Sequence, residues 1–324
     1  MDNIKEQERL RNRISELLTW NLYGNIEIVT DTSEYMNIYR GQVLRLENRE
    51  FVVRGDVHEP RFGLQDQPKF WVKRAIDLES GKDKILKLVF HEEFIANIGP
   101  LRIRCCRDPE KESRVLDLVK GDGRFMQGFT LRDEKENCVR VIEFIKGSSI
   151  YEYIMDIDKP HEEYYYNDVP WILKNIIGCF EAIRYLHKNG YCHGDIRNDH
   201  IIIERDTKSY RWIDFDLQQD YSDFDIWSLG NILNFILGKG IRSFREVYNT
   251  DTYPEHVKWS LTESDASAFW KYRVINLKKL FPYISDKLNN TLLHFSVDTK
   301  NFYERIDQLI DDLGDAVSDL PDPN

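Results

Sequence analysis

Two aspartates carry the strongest chemical signal in this chain. Asp195 lies in the polar loop His193-Gly194-Asp195-Ile196-Arg197-Asn198, just ahead of the apolar run Ile201–Ile203. Asp214 closes a second short run, Tyr210–Ile213. Between the runs lies Glu-Arg-Asp-Thr-Lys-Ser, rich in turn formers, so the spacing predicts a β-hairpin. Such a hairpin brings the two carboxylates, 19 residues apart, to one end of a rigid support. Carboxylates held that way suit a hard cation and the acceptance of a proton.

The elements that position them follow from the same pattern. Apolar residues at Ile172, Ile176, Ile177, Phe180, Ile183 and Leu186 predict a helix over 171–187 that ends at Gly190 and feeds the Asp195 loop. Asp225–Leu237 is mostly apolar and reads as a central helix closed by Gly238. The first half of the chain is rich in strands. A hairpin is expected over 42–54, strands over 69–75 and 84–90 flank the turn Leu78–Asp83, and two more run over 125–131 and 138–145. Lys87 sits inside one of these runs. Asp108-Pro109 reads as the cap and first residue of a helix with Glu112, Val115, Leu116 and Val119 on one face. A carboxylate on an apolar stripe needs a cationic partner, and Lys87 is the natural one.

The rest of the chain is quieter. Residues 4–19 read as an amphipathic helix, expected to pack on the strand-rich first part of the chain or to offer a partner surface. His161–Asp168 reads as a loop whose Tyr164–Tyr166 line a substrate mouth or simply face solvent. Further helices are expected at about 241–248, 263–270, 276–295 and 300–314. With 324 residues, 41% hydrophobic and 13% aromatic, the chain can bury two lobes. A net charge of −11 and the lack of a basic run argue against nucleic-acid binding. No apolar run approaches a membrane span, and the polar start does not read as a signal peptide. The five cysteines show no CxxC spacing and read as reduced packing residues. The expectation is a cytoplasmic protein.

His193-Gly194-Asp195, Asp214-Phe215-Asp216 and Asp225-Ile226-Trp227-Ser228-Leu229-Gly230, in this order, resemble the catalytic core of the protein-kinase-like superfamily. That family carries H-R-D-L-x-x-x-N, D-F-G and a helix opening D-x-W-S-x-G. The His-Gly-Asp and Asp-Phe-Asp variants are similar to aminoglycoside-type kinases, the helix to protein kinases. The resemblance implies an α+β, bilobal fold: a helical extension over 1–40, a small antiparallel-sheet lobe over 41–146 and a larger helical lobe over 147–324. It implies ATP and Mg²⁺ as cofactors and transfer to an alcohol group of an unknown protein or small-molecule acceptor. Asp195 would be the catalytic base and Arg197 would offset phosphate charge. Asp214 would hold Mg²⁺, with His200 and Asp216 beside it. Lys87 would bind the phosphates and Glu112 would pair with it, while Glu143 and Ile145 would offer backbone groups to adenine. His193 reads as a loop-holding residue.

Three departures matter. His200 stands where the family has Asn, and Mg²⁺ prefers oxygen to imidazole. There is no G-x-G-x-x-G; only Gly41, Gly55 and Gly63 lie near the first hairpin, of which Gly55 and Gly63 are the candidate phosphate-loop positions. Eight residues, Leu217–Phe224, replace an activation segment of roughly thirty that ends in A-P-E. Alternatives to an active serine/threonine-kinase-like enzyme are therefore a nucleotide-binding pseudokinase and a small-molecule kinase.

Overall fold

The structure is a computed structural model that describes residues 2–19, 24–61, 64–98, 101–219, 221 and 223–320. The chain divides into two compact units. One comprises residues 1–92, 107–122 and 126–145, the other residues 93–106, 123–125 and 146–324.

In chain order the first stretch contains helix α1 (Asp2–Leu17) and strands β1 (Ile28–Val29), β2 (Val43–Leu46), β3 (Arg49–Arg61), β4 (Leu64–Asp77) and β5 (Asp83–Lys87). A hairpin, β6 (Glu93–Ile98) and β7 (Leu101–Arg107), precedes α2 (Pro109–Leu118), β8 (Gly128–Arg132) and β9 (Cys138–Glu143). The first unit's sheet has seven strands in the order β1-β2-β3-β4-β5-β9-β8. The first two strands pair in parallel and the other five pairings are antiparallel. Period-two alternation divides each strand between two cores. Leu44, Phe51, Val53, Val72, Ala75 and Leu86 fill one. Val43, Val52 and Ile76 turn the other way and meet Leu10, Ile14 and Leu18 of the N-terminal segment. The amphipathic N-terminal helix thus spends its apolar face inside its own unit. Ile4, 69% exposed, lies outside that contact.

In the second unit β6 and β7 pair and form a three-stranded sheet with β13 (Leu217–Gln219), order β13-β7-β6. Before it come β10 (Gly147–Ser149), α3 (Ile150–Met155), α4 (His161–Asn167), α5 (Val169–Lys188), β11 (Ile201–Glu204) and β12 (Tyr210–Trp212). After it come α6 (Phe224–Gly238), α7 (Phe244–Asn249), α8 (Glu255–Ser260), α9 (Asp286–Leu293) and α10 (Ile306–Ser318). The central helix α6 is buried around most of its circumference. Its Gly230 is required by packing: an added Cβ would lie 2.6 Å from ring carbons of Phe295.

Several expectations are corrected. His161–Asn167 is a helix, not a loop, and its Tyr164 and Tyr165 are buried rather than lining a mouth; the Tyr164 hydroxyl donates to the Ile236 carbonyl at 2.9 Å. The span 263–270 contains only one 3-10 turn, and 276–295 is a 3-10 turn followed by α9. Apolar spacing there reflects irregular backbone packed on the core, tied by isolated bridges at Ala266 and Ser267.

His161 makes this region pH-sensitive. Its ring stacks on Phe281 at 3.5 Å, accepts from the Tyr283 hydroxyl at 2.7 Å and donates to the Leu237 carbonyl at 2.9 Å. Burial, with Arg242 and Lys239 nearby, pushes its pKa down to about 4 against the bond to Leu237. A base with a depressed folded pKa binds fewer protons folded than unfolded. Its contribution is therefore whole above about 6.5 and is lost as pH falls toward 4. Chemical denaturation from pH 7 to 4 should show stability falling in this window, with a flatter profile for His161→Phe. Parallel profiles for the two proteins would refute the assignment.

Candidate active site

The hairpin expected around the two aspartates is present. β11 and β12 pair antiparallel in register Ile201–Trp212 and Ile203–Tyr210, with Asp195 on the loop before and Asp214 just after. His200, 3% exposed, occupies the space between them. Its Nδ1 lies 2.6 Å from the Asp195 carbonyl and its Nε2 2.7 Å from an Arg197 guanidinium nitrogen. A guanidinium only donates, so Nε2 accepts and Nδ1–H is the donor, the tautomer being assigned from these bonds. The same ring sits 3.8 Å from an Asp195 carboxylate oxygen and 3.6 Å from one of Asp214. Its own carbonyl accepts from the Ile213 N–H at 3.0 Å, tying the loop to the end of the hairpin. Asp214 itself has φ +71°, a left-handed conformation that Asp tolerates better than most side chains.

The loop backbone is fastened from below. Asp225, completely buried at the start of α6, accepts from the N–H groups of His193 at 2.7 Å and Gly194 at 2.9 Å and from His187 Nε2 at 2.9 Å. Burial alone would raise its pKa. The bond from His187, the nearby histidines and the Gly194 N–H outweigh that and hold the carboxyl below its ordinary value. His193 is enclosed, edge-on to Trp212 and Phe215 at 4.9 Å each, and its Nδ1 accepts from the Asp195 N–H at 3.3 Å. This is a loop-holding geometry. Arg197 Nε lies 3.8 Å from Asp195, and its side chain is 47% exposed. Asp216 is buried, at 3%. Asp214 and Asp216 offer carboxylate oxygens to a cation, whereas both ring nitrogens of His200 are already engaged by protein groups.

In the first unit α2 begins as its sequence requires. The Asp108 side chain accepts from the N–H groups of Glu110 and Lys111, and Pro109 stands at the first helical position. This presents Glu112, with no exposure, to β5 and β9. Lys87 Nζ donates to one Glu112 oxygen at 2.8 Å, and Arg140 Nε donates to the other at 3.1 Å. Lys87 and Arg140 face each other in register across these strands. Arg140 also reaches the carbonyls of Cys138 and Leu88. The Glu143 N–H donates to the Gln127 carbonyl at 2.9 Å, and Ile145 lies two residues beyond β9, half-buried. Gly55 occupies a bulge in β3 at φ +144°, and Gly63 lies outside the described residues.

Sequence reasoning missed Arg140, His187 and the anchoring role of Asp225. A charged residue inside a strand ordinarily reads as solvent-facing, which hid Arg140. The start of Asp225-Ile-Trp-Ser-Leu-Gly held the signal for the anchor, since an Asp at the head of an apolar helix must find buried donors.

No family model matches the chain. Smooth-muscle myosin light chain kinase from Gallus gallus is 27% identical over 190 residues, 58% of this chain and 9% of that protein. NUAK family SNF1-like kinase 1 from Mus musculus is 21% identical over 192 residues, 59% of this chain and 26% of that protein. The chain thus spans only a small part of the length of these relatives. Among solved structures, the crystal structure of Rad53 1-466 in complex with AMP-PNP is similar at a TM-score of 0.44 and 17% identity, covering 74% of this chain and 60% of that one. With the order of elements described above, the fold is protein-kinase-like, α+β, with a strand-rich N-terminal part and a helical C-terminal part. Among the described residues no helix is long and apolar enough to cross a membrane.

Proposed function

We propose that this chain is an ATP-dependent phosphotransferase acting on an alcohol group, of the serine/threonine-kinase-like type without a normal activation segment. The donor chemistry fits nucleotide and Mg²⁺. Asp214 and Asp216 would hold the cation through oxygen, as Mg²⁺ prefers. Lys87, oriented by Glu112, would meet the phosphates as a point charge. Glu143 and Ile145 would offer backbone groups to the base. Bound Mg²⁺-ATP supplies the phosphoryl group, and the protein's work is positioning and charge compensation. Asp195 orients the acceptor hydroxyl and accepts its proton, while Arg197 offsets charge that develops beside it.

The observation that supports this reading best is the buried Lys87–Glu112 pair, 2.8 Å apart, and His200 does not stand against it. At the position where the family's Asn would bind metal, its Nδ1 holds the Asp195 carbonyl and its Nε2 takes a bond from Arg197. It acts as a positioning residue, and one aspartate pair serves the cation. His200→Asn should therefore retain phosphoryl transfer from labelled ATP or increase it. The same residue supports a second reading, a nucleotide-binding pseudokinase, since this position gives no oxygen to a second metal. If wild type binds Mg²⁺-ATP in calorimetry, yet neither it nor His200→Asn phosphorylates itself, generic proteins or aminoglycosides, the pseudokinase reading replaces the first.

A further inference from the structure

A cationic groove lies in the second unit on the surface formed by α5 and the β11–β12 hairpin. It consists of two adjoining cavities of about 350 and 610 Å³ that share Glu204 and Tyr210. Arg205 and Lys208 line the smaller, and Arg124, Lys174 and Arg211 line the larger. Among the described residues Glu204 is the one carboxylate lining either, and it already accepts from the Thr207 and Ser209 hydroxyls at 2.7 and 3.2 Å. Arg211 is buried, donates to the Phe125 carbonyl at 3.0 Å and lies 3.7 Å from a Glu204 oxygen, so these two charges offset each other. Arg124, Lys174, Arg205 and Lys208 are the further cations that line the groove, in a chain of net charge −11. A surface of this sign, opposite to the whole, selects an anionic partner.

The α5 side has two further features that go beyond charge. Trp171, Lys174 and Gly178 recur at helical spacing and so share the face that lines the groove. Trp171 is 46% exposed beside Tyr153, an aromatic body available to a partner side chain. Gly178 lies inside a 20-residue helix, where glycine costs about 1 kcal/mol relative to alanine. Neither packing nor a left-handed backbone requires it, because a Cβ built there meets nothing within 4 Å. What the missing side chain leaves is groove volume.

We propose that this groove is a docking site for an acidic peptide segment of a partner protein, on the turn side of the β11–β12 hairpin rather than at its open end, where Asp195 and Asp214 lie. An extended acidic segment matches two adjoining cavities with cations lining both and an aromatic contact at Trp171. A single phosphate would use only one cluster. The site would recruit a protein partner whatever chemistry the catalytic loop performs, so its test does not depend on phosphoryl transfer.

The test is fluorescence anisotropy of the full chain with a fluorescein-labelled deca-glutamate peptide at low ionic strength, with unlabelled deca-glutamate and inorganic tripolyphosphate as competitors. Saturable binding of deca-glutamate is expected, weakening as salt rises. The charge-reversal pair Lys174→Glu with Lys208→Glu should weaken it by at least roughly tenfold, as like-charge juxtaposition at an interface does. Gly178→Leu should weaken it by filling the groove, while the melting temperature holds or rises because leucine is the better helix former. Should Gly178→Leu lower the melting temperature, the charge-reversal pair still decides the matter. Wild type that fails to bind the peptide, equal binding by the charge-reversal pair, or tripolyphosphate that competes as well as unlabelled deca-glutamate would each overturn the proposal.

Discussion

Asp214→Asn is expected to reduce phosphoryl transfer to background while leaving the fold intact. The substitution isolates charge. Asp214 has φ +71°, and asparagine is the non-glycine residue that accepts this conformation as readily as aspartate. Its neighbours need not move, because the amide has nearly the shape of the carboxylate. What is lost is an anionic oxygen for a divalent cation, which a neutral amide replaces poorly. Asp195→Asn provides the graded comparison. It leaves the proposed cation site whole and removes only the proton acceptor, so a fall of about 10²–10⁴-fold is expected. Initial rates of labelled phosphate transfer under saturating Mg²⁺-ATP, with circular dichroism as the fold control, separate the two. Asp214→Asn that transfers at the wild-type rate would remove the catalytic assignment altogether.

The hairpin that carries Asp195 and Asp214 was legible because its determinants are local. Turn formers between two apolar runs set the pairing, and the capping pair Asp108-Pro109 set the start of α2 with Glu112 on its inner face. The pairing of Lys87 with Glu112 followed from a simple cost, since a buried carboxylate requires a cation. The parts that stayed hidden depend on distant partners. β6 and β7 carry an alternating pattern around Gly99-Pro100, a usable hairpin signal, yet their third strand is β13, more than a hundred residues later. β1 is two residues long and pairs with β2 across a long connection, so no periodicity marks it. In α4 the polar Tyr-rich composition suggested surface, whereas Tyr164 and Tyr165 bury their rings and keep hydroxyl partners. Tyrosine composition alone does not separate these cases, because the ring and the hydroxyl have opposite preferences.

Arg140 extends the local logic and leads to the other large effect. Lys87, Glu112 and Arg140 have side chains 8%, 0% and 1% exposed. Within this trio the charge is +1, one carboxylate between two cations. Removing a cation and removing the carboxylate are therefore unequal changes. Arg140→Met leaves a neutral Lys87–Glu112 pair and fills the vacated volume with an apolar chain, so it buries no uncompensated charge, although the Cys138 and Leu88 carbonyls lose a donor. Glu112→Ala instead takes away the oxygen atoms that both cations contact and brings the trio to +2, in addition to opening a cavity. Breaking a buried pair from one side costs about 3–5 kcal/mol, so Glu112→Ala should destabilise the first unit by at least that much and Arg140→Met by distinctly less. Urea unfolding followed by tryptophan fluorescence reads the difference, with Trp71 in β4 reporting on this unit through its stack on Phe90. Equal losses for the two variants would show that the shared carboxylate is not what balances this buried charge.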